Sequence, residues 1–535
     1  MKPLIECVPN FSEGCDRDVI DAIAASIRGV PGAALLHVDI GEAANRTVMT
    51  FVGSPDAVSE AAFRAIRSAT ERIDMRHQQG VHPRIGAADV CPFIPLRGAT
   101  LADCAHIAAS VGARVATELL VPVYLYGDAA RTPTRRSLAR VRVGQVEALL
   151  DRLQTPDGAP DLGPSTGAHI ARTGAIAIGA RKPLIAFNVN LNTRDVRKAR
   201  RIAAQVREGG RDGLPAVRAI GWFIDEYRCC QVSLNLVDYE RTPPHVAFDT
   251  ICRLAEQVGV RVTGAELIGL SPLAAMRTAG QHYLRRQGAS PGEPDDVLIE
   301  VAAQSMGLRS IRDFSANEHI LERRLRRDGP LVSATVREMV DRVSSATPTP
   351  GGGSVTALCG AMSAALASMV TGLARNAGKE DDLAALEATA IEAQALKDEY
   401  LNEIDEDTQA FARYLAARRM PRRTPAQIAR RDHALKETTQ AIIAVPLAGM
   451  RRAERLLRCA EHAAQVFPDA LSDVGVTVQL ALAAAEGSWG NIAINRHFLN
   501  DSEAAARYLA EADDLLERIR THAETLRETV RRALI

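Results

Sequence analysis

The sequence predicts a multidomain α+β protein: two βαββαβ-like α/β subdomains followed by an all-α helical bundle. Three observations carry this. Up to about residue 325, strand-like runs of alternating or β-branched apolar residues take turns with runs of helical apolar spacing. Beyond Val332 strand signals nearly vanish, and Ala, Leu, Glu and Arg recur at three- and four-residue spacing to the end. The length of 535 residues also exceeds what one ordinary core can organise.

Within 1–180, LIECVP, AALLHVDI, RTVMTFVG and PVYLYG are strand-like, and 17–28, 55–72 and 101–119 carry helical spacing. Within 181–326 the order repeats with PLIAFNVNL, a helix over 193–209, AVRAIGWFID, CCQVSLNLVDY, a helix over 244–258 and VRVTGAEL. A strand closes on Asn10 in one half and on Asn190 in the other, and a proline-led helix follows a strand in both. The halves therefore share a plan and pack around a common cleft. GASPGEPDD at 288–296 punctuates the end of the second half, two helices through Arg326 finish it, and RRDGPL supplies a connector over 327–332. The helical domain is 333–535. Its alanine faces, AMSAALASMV and QLALAAAEG, allow close helix approach and predict a core that continues into a homo-oligomer contact.

Composition bounds the partners. Lys plus Arg equals Asp plus Glu at 65 each, so no global field draws nucleic acid or a membrane surface, and an anionic ligand needs a local basic patch. The nine cysteines show no C-x-x-C pair and no metal spacing, which points to a reduced cytoplasm. MKPLIECVPNFSEG is too polar for a signal peptide. The nearest approach to a membrane span, 355–373, is rich in Ala, Ser and Gly and reads as a closely packed soluble helix.

Chemistry concentrates first in VHPRIGAADV at 81–90, where Pro83 cannot continue a strand ladder and Gly80 and Gly86 permit tight turns around His82. A histidine titrates near neutral pH, so His82 is the leading acid/base candidate, with a packing role as the alternative. Asp39 ends the strand in HVDIGEAANRTV, as a partner for that ring or as a turn cap with Gly41. In the helical domain PTPGGGSV sets free amides of Gly351, Gly352, Gly353 and Ser354 at a helix start, suited to an anion or equally to simple capping. No Lys follows the glycines, so it is not a nucleotide-phosphate loop. Glu403, Asp405, Glu406 and Asp407 form either a solvated acidic face or an acid/base site in which a neighbouring carboxylate raises the pKa of Asp407.

The segments ECVPNFSEG, NRTVMTFVG, VHPRIGAADVCPFIP and GARKPLIAFNVNL occur in the order and spacing of glutamate formiminotransferases, and VSSATPTPGGGSVTAL with IDEDTQAF resembles formiminotetrahydrofolate cyclodeaminase. Nearly the whole chain resembles the fused formiminotransferase-cyclodeaminase family of histidine breakdown. The resemblance implies transfer of a formimino group from N-formiminoglutamate to N5 of tetrahydrofolate, then closure to 5,10-methenyltetrahydrofolate with loss of ammonia. It implies tetrahydrofolate as substrate and carrier, with no metal or nucleotide. The family's catalytic histidine falls on His82 with Asp39 orienting it, and its second acid/base falls on Asp407. Arg46 and Arg84 become candidates for the glutamate carboxylates or for salt bridges. Asn10, Asn188 and Asn190 could read the pterin edge or simply form turns, and DLGPSTGAHIARTG suggests folate contact at Gly163, Pro164 and Ser165. Asp473 and Asn491 are cleft candidates of the second site. The run RRMPRRTPAQIARR at 418–431 is a solvated basic face or a seat for a polyglutamate tail. The alternative function is transfer alone, with the helical domain serving assembly or folate binding.

Overall fold

The computed structural model describes residues 3–42, 44–80, 82–326, 329–378, 382–499 and 502–535. Val81, which opens the His82 motif, and Arg327 and Asp328 of the expected connector lie outside the described residues. The chain divides into two compact units, 1–279 with 302–326, and 280–301 with 327–535.

In the first unit, β1 (Leu4–Cys7) and β2 (Asn10–Phe11) are pieces of one extended segment, flanked antiparallel by β4 (Arg46–Gly53) and β5 (Ala88–Arg97), while β3 (Ala33–Gly41) pairs with β4. The parallel strands β7 (Ile176–Ala180) and β6 (Val123–Gly127) extend the sheet beyond β5. A second sheet has the order β11 (Val262–Ile268), β8 (Ile185–Leu191), β10 (Cys229–Leu236), β9 (Val217–Ile224). Counting β1 and β2 as one, both halves place their strands fourth, first, third, second, the split βαβ arrangement. The shared plan expected from the sequence is present.

One assignment differs. PVYLYG is not the fourth strand of the first half; it is β6 at the sheet edge, and the fourth is β5, which carries Pro92 and Pro95. Prolines cannot donate to a ladder and so disguise a central strand. Here Pro92 still accepts from the Val8 N–H (3.2 Å), and Pro95 falls at a register shift opposite Ile5.

Helices cover one face of each sheet. The chain supplies α1 (Arg17–Arg28), α2 (Pro55–Arg72) and α3 (Leu101–Glu118) to the first half, capped by Asp16, Ser54 and Thr100. The second half has α4 (Val196–Val206), capped by Asp195, and α5 (Pro244–Gln257), followed by α6 (Leu273–Arg286) and α7 (Asp295–Ser305). Strand side chains alternate between faces. Ile5, Cys7, Phe51 and Phe93 are therefore fully buried in the core shared with α1, α2 and α3, while Glu6, Val8, Asn10, Arg46, Val48 and Thr50 face a cavity.

The second unit is helical: α8 (Val336–Val343), α9 (Gly352–Asn376), α10 (Leu383–Arg418), α11 (Pro425–Val466), α12 (Leu471–Asn495) and α13 (Ser502–Leu534). Alanines 357, 361, 364 and 367 of α9 are buried, and a Cβ added to Gly487 of α12 would stand 2.0 Å from Thr356 Cγ2. Close approach is what the small residues provide. Segment 280–301, placed by the sequence in the second α/β half, clusters with this unit, where Ser368 Oγ donates to the Gly292 carbonyl (3.0 Å) and Arg285 pairs with Glu387 (2.7 Å). The connector is anchored too: the N–H groups of Leu331 and Val332 donate to the buried Asp405 carboxylate at 3.1 and 3.0 Å.

Candidate active site

The helix-free faces of the two sheets line a cavity of about 1190 Å³, larger than the roughly 300–1,000 Å³ of ordinary small-molecule pockets. The first sheet contributes Glu6, Asn10, Arg46, Thr50, Val90 and Ile94 to its wall. The second contributes Asn188, Ile220, Trp222, Gln231, Ser233 and Glu266. His82 is half-buried on this wall, its ring tilted against Trp222 with centroids 6.1 Å apart.

The state of that ring follows from its neighbours. Nδ1 lies 2.8 Å from the Pro83 carbonyl, an acceptor only, so Nδ1 carries the proton and Nε2 is left as the base. Burial, then the Arg46 and Arg142 guanidinium groups, push the His82 pKa well below its usual value, against Asp89 and the Pro83 carbonyl. The imidazole is therefore neutral at pH 7.

Asp39 does not orient it. Its carboxylate accepts the Gly269 N–H at 2.7 Å and pairs with Arg312 at 3.0 Å. Burial alone would raise its pKa, but His37, Arg312 and the Gly269 N–H bring it down to about 2. The carboxylate near His82 is Asp89, fully buried, which binds Arg46 at 2.7 Å, Arg142, and the Ile85 N–H at 2.9 Å. Burial would raise Asp89 as well, and Arg142 and Arg46 hold it at about 2.

Several other candidates are occupied by the protein itself. Arg84 donates to Gln78 Oε1 (2.7 Å) and the Gln78 carbonyl (3.2 Å) and pairs with Glu147 (2.8 Å), and it is not on the cavity wall. Its role is to pin the His82 loop. Arg46 reaches the wall, but its fork is divided between Asp89 and Asn10 Oδ1, and Asn10 Nδ2 donates to the Val8 carbonyl. Asn188 donates to Glu266 at 3.0 Å, Gln231 donates to both Glu266 (2.9 Å) and Asn190 Oδ1 (2.7 Å), and Asn190 Nδ2 is buried with no partner among the described residues. Asn190 lies behind the wall rather than on it. Gly163, Pro164 and Ser165 are also absent from the wall; Gly163, at φ +89°, turns tightly against Val121, and the Ser165 carbonyl accepts from Gln154.

In the helical unit the four acids of IDEDTQAF and its flank point to four different settings. Asp405 holds the connector, Glu403 is buried against Arg452, and of the four only Glu406 is exposed. Asp407 sits on the start of α9, where the Ser354 N–H donates to it and a Cβ on Gly353 would stand 2.1 Å from its Oδ1. Of the amides expected to meet a ligand, that of Ser354 is taken by Asp407, and Gly353 packs against the same carboxylate. Burial, rather than a neighbouring carboxylate, raises its pKa, and the Ser354 N–H opposes the rise. Ser354 Oγ ties the cradle to α10 through the Ile404 carbonyl (2.8 Å) and Thr408 (3.0 Å).

Asn491 joins this site: its Oδ1 is 3.9 Å from the position of a Cβ on Gly352, and its buried Nδ2 has no partner among the described residues. Asp473 does not. Both residues are on α12, eighteen positions apart, about 27 Å at 1.5 Å per residue.

Residues 4–181 match the N-terminal subdomain of the formiminotransferase domain, 186–326 the formiminotransferase domain, and 335–514 the family described as formiminotransferase-cyclodeaminase. A formimidoyltransferase-cyclodeaminase from Sus scrofa is 40% identical over 545 residues, covering 98% of each chain. The chain belongs to the formimidoyltransferase-cyclodeaminase family. A second such protein, from Dictyostelium discoideum, is 35% identical over 97% of each chain. A glutamate formimidoyltransferase from Streptococcus pyogenes serotype M1 is 41% identical over 285 residues, 53% of this chain and 94% of its own.

Asp89, Arg142, Trp222, Gln231, Glu266 and Arg312 were not singled out from the sequence. Polar residues at alternate positions of apolar strands could have exposed Gln231 and Glu266; Arg142 and Arg312 sit in irregular segments and carry no local signal. Asp89 supports a testable consequence. Asp89→Asn leaves two buried guanidinium groups without their counter-charge and is expected to cost about 3 kcal/mol of stability. Chemical denaturation checks this, and a change under about 0.5 kcal/mol, typical of a surface site, would contradict it.

Proposed function

We propose that the chain carries out both reactions its family name joins: formimino transfer from N-formiminoglutamate to tetrahydrofolate in the first unit, and cyclodeamination to 5,10-methenyltetrahydrofolate in the second. The likeness to bifunctional relatives over 98% of both chains supports this most strongly. In the transfer, N5 of tetrahydrofolate attacks the amidine carbon while Nε2 of neutral His82 takes the N5 proton. The resulting imidazolium returns that proton to the glutamate nitrogen as the C–N bond breaks. Arg46, Arg142 and Asp89 fix the ring's electrostatic setting, and Trp222 gives a flat wall against which a pterin can stack.

In the second reaction N10 attacks the formimino carbon, and Asp407 relays a proton to the departing amine, so that ammonia leaves. Gly353 and Ser354 hold that carboxyl, and Asn491 supplies a free amide donor beside Gly352. Tetrahydrofolate is the substrate and one-carbon carrier, and the cytoplasm, where the nine free cysteines stay reduced, is the setting. Mixing protein, formiminoglutamate and tetrahydrofolate should produce the near-ultraviolet absorption of methenyltetrahydrofolate together with free ammonia. Glutamate release without ammonia would reduce the chain to a monofunctional transferase, and neither product would leave a binding protein.

The same proposal includes a homo-oligomer through the helical unit. Helix α9 is long and apolar enough to cross a membrane by length and composition alone, with 56% of its most apolar window buried. Its exposed row Val355, Met362, Met369 and Leu373 recurs at seven and four residues, a stripe suited to a second copy of the chain. Met362→Asp with Met369→Asp should lower the sedimenting mass at equal concentration; an unchanged mass would remove this face from the assembly.

A further inference from the structure

Among the described residues, three buried carboxyl groups face the cavity of the first unit: Asp39, Glu266 and Glu6. Two are satisfied from within. Asp39 takes the Gly269 N–H and Arg312, and Glu266 takes Asn188 and Gln231. Glu6, only 6% exposed, accepts no hydrogen bond from any of the described residues. Leaving such an acceptor unpaired is costly, so its oxygens call for donors from whatever fills the cavity. Burial pushes its pKa up to about 7, with Arg181 on the same wall opposing and Glu322 adding to the rise.

We propose that Glu6 anchors the aminopyrimidine edge of the folate, accepting the 2-amino N–H and the N3–H side by side, with Arg181 turned toward the 4-oxo oxygen. That N–C–N edge is a guanidine-like fork, the shape that pairs with a carboxylate through two parallel hydrogen bonds. The formimino group of the other substrate presents a similar amidine, but position separates the two. Glu6 is opposite Val52 and Asn10 is opposite Val48 on β4, four residues apart, or about 13 Å at 3.3 Å per residue. Asn10 binds Arg46, whose charge acts on His82, so the reacting carbon belongs to the Asn10 end and the far edge of the pterin to the Glu6 end. The inference rests on His82 as the transfer centre.

The test uses the full chain, Glu6→Gln, and two substrates: tetrahydrofolate and its 2-desamino-2-methyl analogue. Wild-type kcat/KM should fall on the order of tenfold to a hundredfold on passing to the analogue, the weight of charge-assisted hydrogen bonds. Glu6→Gln should lose a similar factor with tetrahydrofolate, mainly through KM, and should no longer separate the two substrates. The KM for formiminoglutamate and the closure of supplied 5-formiminotetrahydrofolate should stay unchanged. An unaltered KM for tetrahydrofolate, full discrimination retained in the variant, or a rise confined to formiminoglutamate would each overturn the proposal. If Glu6→Gln does not fold, Glu6→Asp, which keeps the charge and shortens the reach, must show the same split. His82→Ala separates the two claims, since it should lose turnover yet keep the binding preference for tetrahydrofolate over the analogue, whatever the loss of the ring beside Trp222 does to affinity for both.

Discussion

His82→Ala is expected to lower glutamate release by about a thousandfold or more, the upper range of what a positioned acid/base group supplies. Closure of supplied 5-formiminotetrahydrofolate should stay within about twofold of wild type, as expected for distant, independent sites. One proton must leave N5 and one must reach the glutamate nitrogen, and the ring offers a single free nitrogen for both because Nδ1 is committed to the Pro83 carbonyl. Alanine also removes the face packed on Trp222, so the variant should be compared with His82→Gln, which retains polarity but cannot cycle a proton at neutral pH. Equal loss in both variants identifies proton transfer as the missing function. Substantial activity in either would assign the proton to another group.

Asp407→Asn is expected to do the reverse, with ammonia release falling about 10²–10⁴-fold while glutamate release persists. Asparagine keeps the shape of the side chain, and its Oδ1 can still accept the Ser354 N–H, so the cradle of Gly353 and Ser354 is retained. What disappears is a carboxyl whose pKa burial has moved toward neutrality, where an acid/base group is most effective. Glu403, one turn away, is the competing carboxyl, and burial raises its pKa as well. It is committed to Arg452, so Glu403→Gln should cost stability before it costs chemistry. If Asp407→Asn remained active and Glu403→Gln were folded but inactive, the roles would be exchanged.

Much of this architecture is written in local pattern. Alternation in RTVMTFVG and IAFNVNL already separates the core side from the cleft side, and Asp16, Ser54, Thr100 and Asp195 start their helices as capping chemistry requires. β5 was hidden by Pro92 and Pro95, because a proline-bearing central strand depends on neighbours that do not need its missing donors. At the candidate sites the motifs pointed to His82, which lies on the cavity wall, and to Asp407, which lies against the start of α9, whereas the groups packed around them were not legible. Asp39 resembles an orienting acid in sequence, yet it is held by Arg312 and Gly269, more than 200 residues away in the chain, and Asp89 inside the motif holds the charges near the ring. Long-range pairing of this kind leaves no periodic trace. The acidic run from Glu403 to Asp407 misled in another way, because helical rotation sends residues one position apart to different faces.

In the proposed transfer a neutral imidazole at His82 is the base. The most direct test is the pH dependence of kcat for glutamate release with both substrates saturating, so that titration of free Glu6 does not enter, measured in the Asp407→Asn enzyme so that closure does not intrude. Burial and two nearby arginines lower the ring's pKa, so the base form persists as pH falls; activity should remain flat through pH 7 and decline only below the ordinary histidine value of about 6.5. An acidic limb at or above that value would contradict the account, for it would mean that the ring is charged where the reaction requires it neutral.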